Sequence, residues 1–178
     1  MGLSAAEWFA VRLSLQVSLA AVVLALPLAV ALSLLLIRRP FRGRVLLEAV
    51  IMAPLVVPPV VTGYLLLLAV GPHTVPGTIF RRIFGGDLAF APAGAVLAAA
   101  VVSFPLVFRP VRAALEGVDP TYVNVSRSLG VGRVRTFLRV VLPMAWPGML
   151  TGAVLGFARS LGEFGATIMV AGNIPFRT

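Results

Sequence analysis

Residues 13–37 carry no charged side chain. About 25 residues at roughly 1.5 Å rise per residue exceed a hydrocarbon core of about 30 Å, so this stretch predicts a transmembrane helix. A cleaved leader would have a shorter apolar region with basic residues ahead of it, which marks the run as an uncleaved first crossing. Further apolar runs at 45–70, 92–108 and 144–170 predict an all-α, polytopic transmembrane bundle of about four crossings, forming a single domain over 1–178. Composition agrees. Apolar residues make up 60% of the chain, mean hydropathy is +1.04, and charged residues are only 12%, about half the share of a soluble domain.

The net charge of +9 does not indicate a nucleic-acid partner. Its arginines fall between apolar runs, where positive charge sets membrane orientation. Arg38, Arg39, Arg42 and Arg44 follow the first crossing; Arg109, Arg112 and four more follow the third. This places loops 38–44 and 109–143 in the cytoplasm and the N-terminus outside, with Arg81 and Arg82 in the 71–91 loop weighing the other way. Residues 1–12 form a short amphipathic lead whose Trp8 suits the interface. No cysteine is present, so thiolate metal sites and cysteine nucleophiles are excluded. His73, without a second ligand at coordinating distance in sequence, reads as a solvated loop residue. There is no lysine, hence no lysine-bearing phosphate loop, and no local pattern of nucleophile, base and orienting acid.

The most constructed interruption of the apolar background is 119–143. Asp119 before Pro120 is an N-cap with proline at the first helical position. Gly130 and Gly132 are expected to take the positive φ that ends this helix, and a second helix resumes from Val134 until Pro143 stops it. A basic amphipathic helix resting on lipid headgroups is the alternative use of such a segment.

The spacing within 119–143 resembles the cytoplasmic EAA loop of ABC importer permeases. Gly130, Leu142 and Pro143 match that pattern in place. Asn124, Val125 and Ser126 stand where the family has Glu-Ala-Ala, and Val140 stands for its isoleucine. The resemblance implies that this segment docks in a cleft of a separate ATPase subunit and passes its motion to the membrane helices.

Two crossings contain residues that do not suit a plain span. The second holds Pro54, Pro58 and Pro59, with Thr62 and Gly63 just beyond, and must kink or break. Broken helices at a transporter midplane commonly line a substrate path; a kink that improves packing is the other reading. The fourth holds Arg159 and Glu163, four apart and expected on one helical face. They are either a guide and gate for an anion or a buried ion pair that fixes packing. The glycines at 148, 152, 156, 162 and 165 predict close helix contacts.

The second-crossing run APLVVPPVVTGYLLL and the run FARSLGEFGATIMVAGNIP at 157–175 resemble molybdate/tungstate ABC transporter permeases, with sulfate permeases a looser match. The resemblance implies a type I importer permease: a homodimer with two ATPase subunits, which carry ATP and Mg, and an external oxyanion-binding protein. It implies an inner-membrane location and a path through Pro58, Pro59, Thr62, Arg159 and Glu163. Family members continue into a further helix, so the chain is expected to lack the last one. The rival class is a membrane-anchored structural or sensory protein that moves no solute.

Overall fold

The computed structural model describes residues 4–38, 41–174 and 178, which contain helices and turns and no strand. Arg39, the side chain of Arg38, the first three residues of the N-terminal lead and Pro175 at the end of the 157–175 run lie outside the described residues.

Helix α1 (Ala5–Arg38) begins earlier than residue 13. Ser4 N–H donates to Glu7 Oε2 at 2.7 Å while Glu7 N–H donates to Ser4 Oγ at 3.3 Å. This reciprocal cap starts the helix at Ala5, so residues 5–12 of the lead are the first part of α1. Trp8 is exposed on it.

Helix α5 (Pro92–Glu116) runs parallel to α1. Val17 and Ala21 pack with Ala95 and Ala99 near one end, and Leu36 shares a cluster with Val111 and Leu115 at the other. Pro105 and Pro110 stay inside α5 without ending it, so Arg109 and Arg112 belong to this helix and the following connection starts at Gly117, not at 109. Helix α8 (Leu142–Leu161) crosses back against α5. A Cβ at Gly148 would collide with Ala114, one at Gly152 would sit 2.8 Å from Val107 O, and one at Gly156 would collide with Val107. Three of the expected small-residue contacts are therefore the α5–α8 seam, where glycine lets backbones approach.

The run 45–70 is two helices, α2 (Arg44–Val56) and α3 (Pro59–Val70). Val57 and Pro58 are extended, with ψ 134° and 136°. Consecutive prolines remove two donors and push the preceding residue out of the α region; Pro54 alone leaves α2 intact. The run 144–170 is also broken: α8 ends at Leu161, and α9 (Gly165–Ala171) follows after Gly162, Glu163 and Phe164. The two distal pieces pack side by side, with a Cβ at Gly63 falling 2.7 Å from Ala166 Cα.

The 71–91 segment is not only loop. Helix α4 (Val75–Phe84) is capped by Thr74, whose side chain accepts from Gly77 N–H, and closes on Gly85 at φ 71°. It bends from α3 by 69°. The signals were present as threonine before Val-Pro-Gly and as Gly85 after the basic turn, but alternation with glycine and proline masked them. His73 is exposed at its start. Among the described residues, 3 helices are long and apolar enough to cross a membrane, Ala5–Ile37, Pro92–Glu116 and Arg133–Leu161, or up to 4 if the bent pair Pro59–Val70 and Val75–Ile83 is one span.

Candidate coupling element and broken-helix site

Helix α6 (Pro120–Ser128) starts as its sequence predicts. Asp119 Oδ1 accepts from Thr121 N–H at 2.8 Å, with Pro120 at the first helical position. That backbone hydrogen bond holds the Asp119 carboxyl below the usual carboxylate range. The helix ends in a Schellman motif: Gly130 N–H donates to Arg127 O at 2.9 Å and Val131 N–H to Ser126 O at 3.2 Å. Gly130 takes φ 76°, which a side chain would strain. Gly132 does not share this role. With φ −64° it caps the next helix, α7 (Arg133–Thr136).

Pro143 does not stop the second helix. Helix α7 runs through a π turn, Phe137–Val141, directly into α8, and Leu142 N–H reaches back to Phe137 O. Widening the turn by one residue supplies room for a proline ring that would clash in a regular helix. Arg133–Leu161 is thus one continuous element, and a displacement at its start moves α8 with it.

Of the triplet, Asn124 and Val125 are exposed while Ser126 is buried. Ser126 Oγ lies 2.9 Å from Thr136 Oγ1, which fastens α6 to α7. Val140 and Leu142 are half-buried, and Leu142 packs on the core of α1, α5 and α8. Beside this element lies an ion network that sequence reading missed. Arg112 binds Glu48 at 2.9 Å and Glu116 at 2.8 Å, and Arg44 binds Glu48 at 2.9 Å. The Arg44/Glu48 and Arg112/Glu116 spacings were legible as pairs within a helix; only packing reveals that they join α2 to α5.

At the break after α8, Arg159 Nη1 donates to Glu163 Oε2 at 2.7 Å, and Glu163 Oε1 accepts from Ala166 N–H at 2.7 Å. The pair exists, but Glu163 stands past the helix end rather than on a shared helical face. The glycine at 162 ends α8, and the carboxylate then bridges the end of one helix and the start of the next. Glu163 is 2% exposed and Arg159 29%, so an acid of this chain, not an external anion, satisfies the start of α9. Thr62 is buried, its hydroxyl donating to Pro58 O at 3.4 Å. The two breaks meet where a Cβ at Gly165 would lie 3.2 Å from Pro59 Cβ. On the other side of Glu163 a cavity of about 520 Å³ opens between α1, α5, α8 and α9, with Ser14, Ser18, Ser160 and Thr167 on its wall. No cluster of His, Cys, Asp or Glu able to hold a metal occurs among the described residues.

A chain with this helical bundle, two broken apolar runs and a capped helix pair matches, over residues 21–178, the family described as binding-protein-dependent transport system inner membrane component. The chain belongs to this family. As a member it is an all-helical membrane permease. It is 52% identical over 172 residues to the molybdenum transport system permease protein ModB of Escherichia coli K12, covering 97% of this chain and 75% of that protein. With ModB of Haemophilus influenzae the identity is 47%, over the same shares. The sulfate transport system permease protein CysT of Salmonella typhimurium is 37% identical over 144 residues, 81% of this chain and 52% of that one.

Proposed function

We propose that this chain is the membrane-path subunit of an ATP-driven importer of molybdate and tungstate. The observation that carries this reading is the 52% identity to the E. coli molybdenum permease across 97% of the chain. Sulfate is the second reading, favoured by the 37% identity to CysT.

In this proposal an external binding protein delivers the oxyanion to a permease homodimer in the inner membrane, and two ATPase subunits hold ATP and Mg and hydrolyse it. The N-terminus lies outside, and the arginine-rich ends of α2, α5 and α6–α8 face the cytoplasm. Closure of the ATPase subunits moves the 120–143 element. That motion enters α8 through the unbroken run from Arg133 to Leu161 and reaches α2 through Arg112 and Glu48. The broken crossings then open the path to one side and afterwards to the other.

The test is ATP-dependent uptake of labelled molybdate into vesicles holding the chain with its ATPase and binding protein. Competition by tungstate stronger than by sulfate is the expected result. Stronger competition by sulfate would transfer the assignment to the sulfate reading. A complex that forms and hydrolyses ATP without accumulating any oxyanion would leave the structural or sensory class standing.

A further inference from the structure

We infer that the cleft receiving the α6–α7 element on the ATPase is rimmed with carboxylates around an apolar floor. This rests on the proposed coupling role of 119–143 and adds the chemistry of the partner surface.

Three observations support it. The segment carries four arginines, Arg127, Arg133, Arg135 and Arg139, and one acid. That acid, Asp119, is occupied in capping α6. All four arginines are exposed, and none forms an ion pair among the described residues, in contrast with Arg44, Arg81, Arg112 and Arg159. The family's acid is replaced by neutral Asn124, so Asp119 is the one carboxylate of 119–143 and four arginines outweigh it.

Large apolar residues are exposed along α6, at Tyr122 and Val125, and are most exposed around the turn between the helices. Leu129 is 77% and Val134 73% exposed, with Leu138 one turn further on. A Cβ added at Gly130 or Gly132 would meet nothing within 4 Å, so the turn is open on its outer side. Helix α6 packs against α7 and the π turn and makes no comparable contact with the membrane helices. An element that lies on a headgroup layer carries its apolar residues along one face of a single helix. Here they run along α6 as Tyr122, Val125 and Leu129 and continue past the turn onto α7 and the π turn as Val134 and Leu138, a two-helix surface that an apolar slot on a protein can take in whole. Guanidinium groups around such a slot bind carboxylates with two parallel hydrogen bonds.

The test uses the full chain in phosphatidylcholine nanodiscs and measures binding of its ATPase subunit. The double variant R133E/R135E puts acids in the first turn of α7, where the helix dipole favours them, so weakened binding would not reflect a lost helix. Affinity is expected to fall at least about tenfold at about 0.05 M salt, with the deficit shrinking at about 0.5 M as screening shortens to a few ångströms. Unchanged affinity of this variant at both salts, with binding abolished by G130V, would overturn the acidic cleft and leave the coupling role intact. Failure of the unsubstituted chain to bind the ATPase would overturn the coupling role itself. A polarity-sensitive dye on V134C, in a chain that has no other cysteine, separates the lipid occupant. A blue shift on adding ATPase supports the inference; a blue shift produced by phosphatidylglycerol nanodiscs without ATPase overturns it.

Discussion

Ser126 Oγ and Thr136 Oγ1, ten residues apart, lie 2.9 Å from each other in a buried contact between α6 and α7. The last position of the departed triplet therefore has a structural use, and the two helices move as one body. Ser126→Ala leaves Thr136 only its 3.4 Å bond to Val131 O, at a cost of about 1 kcal/mol. Thr136→Val costs a similar amount, and the double variant should cost less than the sum because both partners are gone. Thermal unfolding of the detergent-solubilised chain gives the three values. Strict additivity would show that the hydroxyls do not interact.

Asp119 should act through its cap alone. Its carboxyl titrates below the ordinary range in the folded chain, so its stabilisation is complete above about pH 4 and fades as the pH falls through the lowered value. Asp119→Asn keeps an equally good cap and should abolish that acid-dependent fraying, while Asp119→Ala should fray α6 at all pH values. Hydrogen exchange at the Thr121 and Tyr122 amides, followed from pH 6 downward, reads both effects.

Glu163 has two partners, and its substitutions should rank accordingly. Glu163→Gln keeps an acceptor for Ala166 N–H but loses the charge opposite Arg159; Glu163→Leu loses both. Breaking a buried pair costs about 3–5 kcal/mol. Arg159 is only partly buried, so about 2 kcal/mol is expected for the leucine variant and less for glutamine. Oxyanion uptake measured with both proteins assembled separates the roles. An unchanged apparent affinity with reduced transporter abundance marks a packing pair, whereas an altered affinity at normal abundance places Arg159 on the anion's route.

The α5–α8 seam should not admit a side chain at Gly152. A valine there meets the Val107 carbonyl and the Val111 side chain, and overpacking of this kind costs about 1–3 kcal/mol. Gly152→Val should lower the melting temperature and yield of the membrane-inserted chain. Leu150→Ala, on the exposed side of the same helix, should leave both nearly unchanged. Equal effects of the two substitutions would mean that the seam is looser than the backbone contact implies.

Features written in consecutive residues were legible before any coordinates. The charge-free run of α1, the Asp119–Pro120 start, the Gly130 turn and the break at Pro58–Pro59 each follow from local physics: apolar length, a cap, a positive φ, a missing donor. Where local rules competed, tertiary structure decided. Pro143 should end a helix, yet a π turn lets α7 continue into α8; Glu163 has the spacing of a helical pair, yet Gly162 releases it to bridge two helices. The Arg112–Glu48 tie and the Ser126–Thr136 bond could not be read from spacing, because each needs two helices already in place. Sequence alone thus determined which runs are apolar and several of the places where the chain must turn, since those depend on neighbours along the chain. Only the folded bundle determined which polar groups meet inside it, because burial leaves each of them to find whichever partner packing brings within reach.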